Sequence, residues 1–123
     1  MTITLQEDDG VDFEQNQVLT ESFFKSDLYA TQGNPMKLTP GGIKPTQSNP
    51  VHWFKSEHGF YRSFDSLKSV PLEYPEWEAG TSLINPEKGL AFVVKNNLSD
   101  GYTKGWISGI SPDGITIEYV VIN

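Results

Sequence analysis

The fold is decided by the stretch 89–122, which contains the segments GLAFVVK (89–95), GYTKGWISGI (101–110), SPDG (111–114) and ITIEYVVI (115–122). Side chains alternate along the last segment, and a period of two residues is typical of a strand with one buried face. The face that we expect to be buried carries Ile115, Ile117, Tyr119 and Val121, and the opposite face carries Thr116, Glu118 and Val120. The stretch therefore predicts an antiparallel β-meander.

The tetrapeptide Ser111-Pro112-Asp113-Gly114 predicts the turn between the last two strands. Proline already holds the φ angle that the first central position of a turn requires, and aspartate tolerates the second position. Glycine readily adopts the positive φ angles that close hairpins. The order of residues in this tetrapeptide is thus the one that a hairpin needs.

Further strands are predicted earlier in the chain. Thr2–Leu5 alternates polar and apolar residues, which favours a short first strand. Val51–Lys55 and Gly59–Phe64 predict a hairpin around the turn Ser56-Glu57-His58-Gly59, because glycine again stands where a positive φ is wanted. Thr81–Ile84 is one more strand candidate before the meander.

Two short helices are also expected. Between Val11 and Lys25 several apolar residues would share one helical face, with Asp12 near the N-terminus, where a carboxylate is favourable. In the same region, Phe23-Phe24 could equally begin a strand. Asp65–Ser69 fits a single helical turn that Pro71 would stop.

Residues 31–50 are expected to form a long loop or arm that is rich in proline and glycine. Prolines recur every five residues here, and a proline cannot donate to a β-ladder. We therefore expect no paired strand in this segment. Long loops in compact domains are often functional, so an arm that reaches a neighbouring molecule is one interpretation. The four prolines are Pro35, Pro40, Pro45 and Pro50.

The predicted fold class is mostly β, a β-rich α+β arrangement with one or two short helices. Short strands separated by frequent turns favour a small antiparallel barrel or a curved sheet, here with five to seven strands. A chain of 123 residues is long enough to bury a core of its own. We therefore expect residues 1–123 to form a single domain.

The charge of the chain is strongly negative and unevenly distributed. The net charge is −7, and residues 1–30 hold seven acids against Lys25 alone. Residues 31–72 carry more bases than acids, and the remainder is acidic again. Because an acidic surface repels phosphate backbones, direct binding of nucleic acid is disfavoured, whereas a protein partner with a basic surface is favoured.

The composition argues against catalysis, a metal site or a cofactor. The absence of cysteine excludes disulfides and cysteine-based zinc sites, and it favours a cytoplasmic location. The two histidines, His52 and His58, are too few for a three-histidine site, and the acids around Asp8 and Asp12 lack the spacing of a calcium loop. Nucleophile-elbow and phosphate-binding glycine motifs are absent, as is any apolar run of about 18 residues that would span a membrane.

The leading functional prediction is a non-catalytic, acidic protein that docks on a macromolecular partner. One concrete form is a viral, phage-type inhibitor that occupies a basic nucleic-acid-binding groove. Acids around aromatic residues are the composition of many protein interfaces. The predicted partner-binding residues are Glu7, Asp8, Asp9, Asp12, Glu14, Trp77 and Glu78.

Two alternatives are a binder of small, nucleotide-like ligands and a structural assembly subunit. Aromatic side chains beside bases can stack on nucleobases and attract phosphate. A segment with these properties lies at 51–64, where the local charge is positive. The predicted ligand-binding residues of this alternative are Trp53, Lys55, Tyr61 and Arg62.

Overall fold

The computed structural model describes residues 1–20, 25–33, 36–44, 47–48, 50–54, 78–79, 85–96 and 101–122. These residues form twelve β-strands and no α-helix, so the chain is mostly β. The strands are β1 (Thr2–Leu5), β2 (Asp9–Asp12), β3 (Gln17–Thr20), β4 (Leu28–Ala30), β5 (Leu38–Pro40), β6 (Gly42–Lys44), β7 (Gln47–Ser48), β8 (Pro50–Phe54), β9 (Glu78–Ala79), β10 (Ala91–Lys95), β11 (Tyr102–Ser111) and β12 (Gly114–Ile122).

The strands pair in antiparallel order within three sheets. The largest sheet has the order β1-β12-β11-β10-β8-β9, the second β3-β2-β4-β5, and the third contains β6 and β7. Among the described strands, none joins the two ends of the largest sheet, so it is not closed into a barrel. The expected antiparallel β architecture is confirmed, whereas the barrel, the one or two helices and the count of five to seven strands are wrong for the described residues.

The C-terminal meander is confirmed. β10 pairs with β11, and β11 pairs with β12 through a two-residue turn at Pro112 and Asp113, with Ser111 opposite Gly114. As the alternation along β12 predicts, the face that carries Ile115 and Tyr119 is turned into the core, and both side chains are fully buried. The predicted strand at Thr2–Leu5 is also confirmed, and it pairs with the opposite edge of β12.

A β-bulge interrupts the β11–β12 ladder at Ser108. Ile107 lies opposite Ile117, but the next paired residue is Gly109, which lies opposite Thr116. The extra residue shifts the alternation of side chains by one position. The Ser108 hydroxyl donates a hydrogen bond to the Thr116 carbonyl oxygen at 3.4 Å, so this carbonyl has a partner at the bulge.

The core lies between the two larger sheets. Phe13, at the end of β2, places its ring 5.8 Å from Phe92 of β10 and 4.6 Å from Tyr119 of β12. Leu28 of β4 and Leu38 of β5 are fully buried in the same cluster. The second sheet is therefore held to the first by aromatic and aliphatic packing, with rings at distances typical of favourable pairs.

The helix expected between Val11 and Lys25 is wrong for the described part of that range up to Thr20, because β2 and β3 form a hairpin there. The alternative strand at Phe23-Phe24 lies outside the described residues. Its turn is fixed locally: the Asp12 carboxylate accepts the Gln15 amide at 3.3 Å, and the Asn16 amide donates to the Phe13 carbonyl oxygen at 3.2 Å. Asn16 has a φ of +51°, which asparagine tolerates better than most residues. These side chains favour a turn over a helix.

The expectation that no strand pairs within 31–50 is also wrong for the described part of that segment. β5 pairs with β4, and β6 pairs with β7. Proline is accommodated because Pro40 ends β5, an edge strand, and Pro50 is the first residue of β8. Leu38 belongs to the core of this same chain, so this stretch is part of the packed fold.

Only one arm of the hairpin predicted at 51–64 is described. β8 matches its first arm and pairs with β10 and β9 in the largest sheet. The second arm at Gly59–Phe64, the helical turn at Asp65–Ser69 and the strand at Thr81–Ile84 lie outside the described residues. Among the residues that are described, no helix has the length and apolar character required to cross a membrane.

Candidate docking groove

Three chain connections meet at one end of the molecule and enclose a groove of about 990 Å³. They are the β1–β2 turn with Gln6 and Glu7, the β4–β5 connection with Gly33 and Met36, and the β11–β12 hairpin tip from Ile110 to Asp113. Pro86 adds a further wall. We call this cavity the tip groove, because the hairpin tip contributes more described residues to it than any other connection.

Part of the lining of the tip groove is apolar, and we call this part its floor. Ile110 exposes 47% of its surface, although the hairpin body beyond it is packed into the core. Met36 is partly buried against the core cluster and also lines the groove. Pro112 and Ile115 complete the apolar lining.

The bulge decides that Ile110 faces this groove. Strict alternation from the buried Ile107 would place residue 110 on the outer face of the sheet. The extra residue at Ser108 instead puts Ile110 opposite Ile115, and directly opposed residues point to the same face. Ile110 therefore lies on the core-facing side, beyond the last layer of the core, where it remains open to solvent.

The rim of the tip groove carries two carboxylates, Glu7 and Asp113, both on exposed residues. Within the described part of the chain, neither side chain has a hydrogen-bond or ion-pair partner, and no lysine, arginine or histidine lines the groove. The groove therefore combines an apolar floor with negative charge that described side chains do not neutralise.

The β1–β2 turn is held rigidly, and this fixes Glu7 at the rim. The Asp9 carboxylate accepts the Gln6 amide at 2.9 Å, while the Asp9 amide donates to the Gln6 carbonyl oxygen at 3.0 Å. Asp8 has a φ of +62°, and its carboxylate accepts hydrogen bonds from the Tyr29 hydroxyl at 2.9 Å and from the Gln32 amide. Asp8 and Asp9 thus build the turn, and Glu7 projects from it.

The hairpin tip is also well defined. The Asp113 amide donates to the Ser111 hydroxyl at 3.2 Å, and Gly114 follows with a φ of +151°. A Cβ atom at Gly114 would lie 2.6 Å from the Leu5 carbonyl oxygen, so only glycine allows this approach of β12 to the end of β1. This contact places the hairpin tip beside the β1–β2 turn and so brings Asp113 to the same groove as Glu7.

A second acidic cluster lies elsewhere, at the β2–β3 turn. One carboxylate oxygen from each of Asp12, Glu14 and Asp27 lies within 4.8 Å of the others. Oxygen ligands of this kind suit hard cations, but Asp12 and Asp27 also accept the amides of Gln15 and Phe13, at 3.3 and 2.9 Å. Both carboxylates therefore have a clear role in shaping the turn.

The hydroxyl of Tyr119 lies close to that second cluster and donates to the side-chain oxygen of Asn16. Burial raises the pKa of Tyr119, and the negative charges of Asp12 and Asp27 raise it further. Both effects disfavour the phenolate, so Tyr119 acts as a neutral hydrogen-bond donor that links β12 to the β2–β3 turn.

The seven predicted partner-binding residues are placed in different ways. Glu7 lies on the rim of the tip groove, whereas Asp8, Asp9 and Asp12 form hydrogen bonds within turns. Glu14 is exposed at the second cluster. Of the other two, Trp77 lies outside the described residues, and Glu78 is described only as backbone in β9.

The residues of the nucleotide-like alternative are not brought together by the described structure. Trp53 is partly buried and packs on the core, with its ring 5.5 Å from that of Phe92. Its indole nitrogen is buried without a partner among the described residues. Lys55, Tyr61 and Arg62 lie outside the described residues.

Sequence reasoning did not select Asp113, Ile110 or Met36 as site residues. Turn chemistry explains Asp113, whereas Ile110 stands in a predicted strand and Met36 in the segment rich in proline and glycine. The weak signal in the sequence is an isoleucine directly before a predicted turn and an acid within that turn. Only the meeting of three connections gives these residues a common site.

No protein family matches this chain, and no curated protein or solved structure matches it either.

Proposed function

We propose that this chain is a non-catalytic binding protein that docks on the basic surface of a macromolecular partner. The single observation that supports the proposal is the tip groove, where the exposed Ile110 lines the same cavity as Glu7 and Asp113, whose carboxylates pair with no described side chain. An apolar centre with a charged rim is the usual composition of a protein-binding site.

The wider charge distribution supports a basic partner. The first 20 residues contain five acids and no base, and the whole chain has a net charge of −7. Such a surface speeds the approach of a positively charged partner and slows that of nucleic acid. A partner that carries lysine or arginine around an apolar anchor therefore fits better than one that carries phosphate.

A more specific form of this function is inhibition. A protein that binds nucleic acid exposes a basic groove, and an acidic protein that occupies the groove would exclude the nucleic acid. In this form the chain is a viral or phage-type inhibitor. Its expected signature is competition: addition of the chain displaces labelled nucleic acid from the partner, and more chain is required as the nucleic-acid concentration rises.

The test of the binding function is capture of partners from a lysate of the cells that encode the chain, at about 50 mM and about 500 mM salt. We expect basic proteins to bind at low salt and to be lost at high salt, because exposed charges are screened. Replacing Glu7 and Asp113 together by their amides should reduce capture at low salt. Capture that is unchanged by salt and by the amide variant would contradict docking through charge.

A further inference from the structure

We propose, as a refinement that rests on the binding function above, that the tip groove holds an extended segment of the partner in which basic side chains flank an apolar one. The apolar side chain would contact Ile110 and Met36, and the basic side chains would reach Glu7 and Asp113. The groove is thus assigned a peptide-like occupant of defined chemistry.

The apolar part of the assignment follows from the floor. Ile110 is held on the core-facing side of the sheet by the bulge, yet it has solvent on its open side. Covering that side removes apolar area from water, which is favourable in proportion to the area covered. Met36 packs against the core with one side and lines the groove with another, and a methionine adapts its shape to an incoming side chain.

The basic part follows from the rim. No described side chain is paired with Glu7 or Asp113, and the described lining of the groove contains no basic residue. A lysine or arginine brought to this rim would meet charge that described side chains do not neutralise. An acidic segment would be repelled there. The two acids belong to different connections that line the same groove, which suits an occupant with more than one basic side chain beside its anchor.

The groove is formed before binding. Hydrogen bonds of Asp8 and Asp9 fix the β1–β2 turn, and the Gly114 contact with Leu5 fixes the hairpin tip. Rigid walls reduce the entropy that binding would otherwise cost. Because the groove is preformed, its walls do not have to become ordered when the partner segment binds.

Other occupants fit the chemistry less well. A second copy of the chain would bring its own net charge of −7 to an acidic rim, and nucleic acid would bring phosphates to it. A polyamine would satisfy the carboxylates but leave Ile110 uncovered. A segment with both apolar and basic side chains is the occupant that satisfies floor and rim together.

The first experiment uses a short synthetic peptide in which lysines flank a leucine, titrated into the full chain with isoleucine methyl groups labelled for NMR. We expect the methyl signals of Ile110 and Ile115, which line the groove, to shift in a saturable way and that of Ile117, which does not line it, to remain in place. A peptide with serine instead of leucine and a polyamine should each bind more weakly. Equal binding of the polyamine would overturn the need for an apolar anchor.

The second experiment reverses the charge of the rim. The double variant Glu7→Lys with Asp113→Lys should weaken binding of the lysine peptide about tenfold or more and should gain binding to a matched glutamate peptide. Glu14→Lys is the matched control, because it reverses an exposed acid outside the groove. It should change the affinity by less than about twofold. A melting temperature near that of the wild type shows that each variant is folded.

The outcomes separate the groove from the broader function. If the lysine peptide binds but shifts signals elsewhere, or if Glu14→Lys weakens it as much as the rim variant, the groove is the wrong site although the binding function stands. If the peptide does not bind while basic proteins are still captured at low salt, the assigned occupant is wrong. If neither binds, both the occupant and the binding function are overturned.

Discussion

The body and the tip of the β11–β12 hairpin differ, although they belong to the same two strands. In the body, Ile107, Ile117 and Tyr119 are fully buried against the second sheet. At the tip, Ile110 is exposed and Asp113 has no described side-chain partner. The body thus supplies stability, whereas the tip offers surface. One hairpin can serve both purposes because a single bulge separates the two parts.

Among mutations in this hairpin, we expect the largest loss of stability from one in the body. Tyr119→Ala removes a fully buried ring that contacts Phe13 and donates a hydrogen bond to Asn16. Loss of a large buried side chain should lower the free energy of unfolding by about 3–5 kcal/mol. Chemical denaturation monitored by circular dichroism measures the change. A loss below about 1 kcal/mol would mean that the body does not carry the core.

Gly114→Val acts at the junction of body and tip. The new side chain would collide with the Leu5 carbonyl oxygen, and its backbone would be held at a φ that valine disfavours. Overpacking and strain together should destabilise the protein by about 2–4 kcal/mol. Denaturation midpoints should fall, and peptide binding by the folded fraction should weaken as well, because the contact between Gly114 and Leu5 positions the hairpin tip. A variant that keeps both its melting temperature and its peptide affinity would contradict this role of Gly114.

Tyr119→Phe tests how the hairpin body contributes to stability at different pH values. The variant keeps the ring but loses the hydroxyl, which should cost about 1 kcal/mol near neutral pH. Because the folded-state pKa of Tyr119 is raised, its contribution is complete below the unfolded-state pKa near 10 and is lost as the pH rises through the folded-state value. The stability of the wild type should therefore approach that of the variant at alkaline pH. A stability difference that stays constant between pH 8 and pH 12, measured by denaturation, would argue against the raised pKa.

Ile110→Ser should have the smallest effect on stability. Nearly half of this side chain is already exposed, so the free energy of unfolding should change by less than about 0.5–1 kcal/mol. The proposed docking should nevertheless weaken, because the apolar anchor site is lost. Val120→Ser is a suitable control, since Val120 is also an exposed apolar residue of this hairpin but lies outside the groove. Equal binding by both variants would remove the distinction between tip and body.

How well each part of the fold could be predicted depends on how far apart along the sequence its interacting residues lie. The meander was predictable because alternation in 115–122 and the turn at Pro112 and Asp113 are local properties. The 11–25 region was not, since its apolar spacing fits a helix equally well. Hydrogen bonds from Asp12 and the positive φ of Asn16 decided in favour of a hairpin.

The candidate site was predictable only in part. Acidic residues near the start of the chain drew attention to Glu7, but the same reasoning gave Asp8 and Asp9 equal weight. Their hydrogen bonds within the β1–β2 turn distinguish them from Glu7, and such bonds depend on Tyr29 and Gln32 from another connection. Charge in a sequence does not reveal which carboxylates are used to build turns.

By itself, the sequence determined a mostly β chain with a C-terminal meander, a proline-aspartate turn and an acidic surface, because alternation, turn chemistry and net charge act over a few residues or over the whole chain. Tertiary structure alone decided that Ile110 faces the core side of the sheet and that Glu7 and Asp113 share a groove. The physical reason is that one extra residue at Ser108 reverses the alternation, and only the packing of β12 against β1 brings the two acids together.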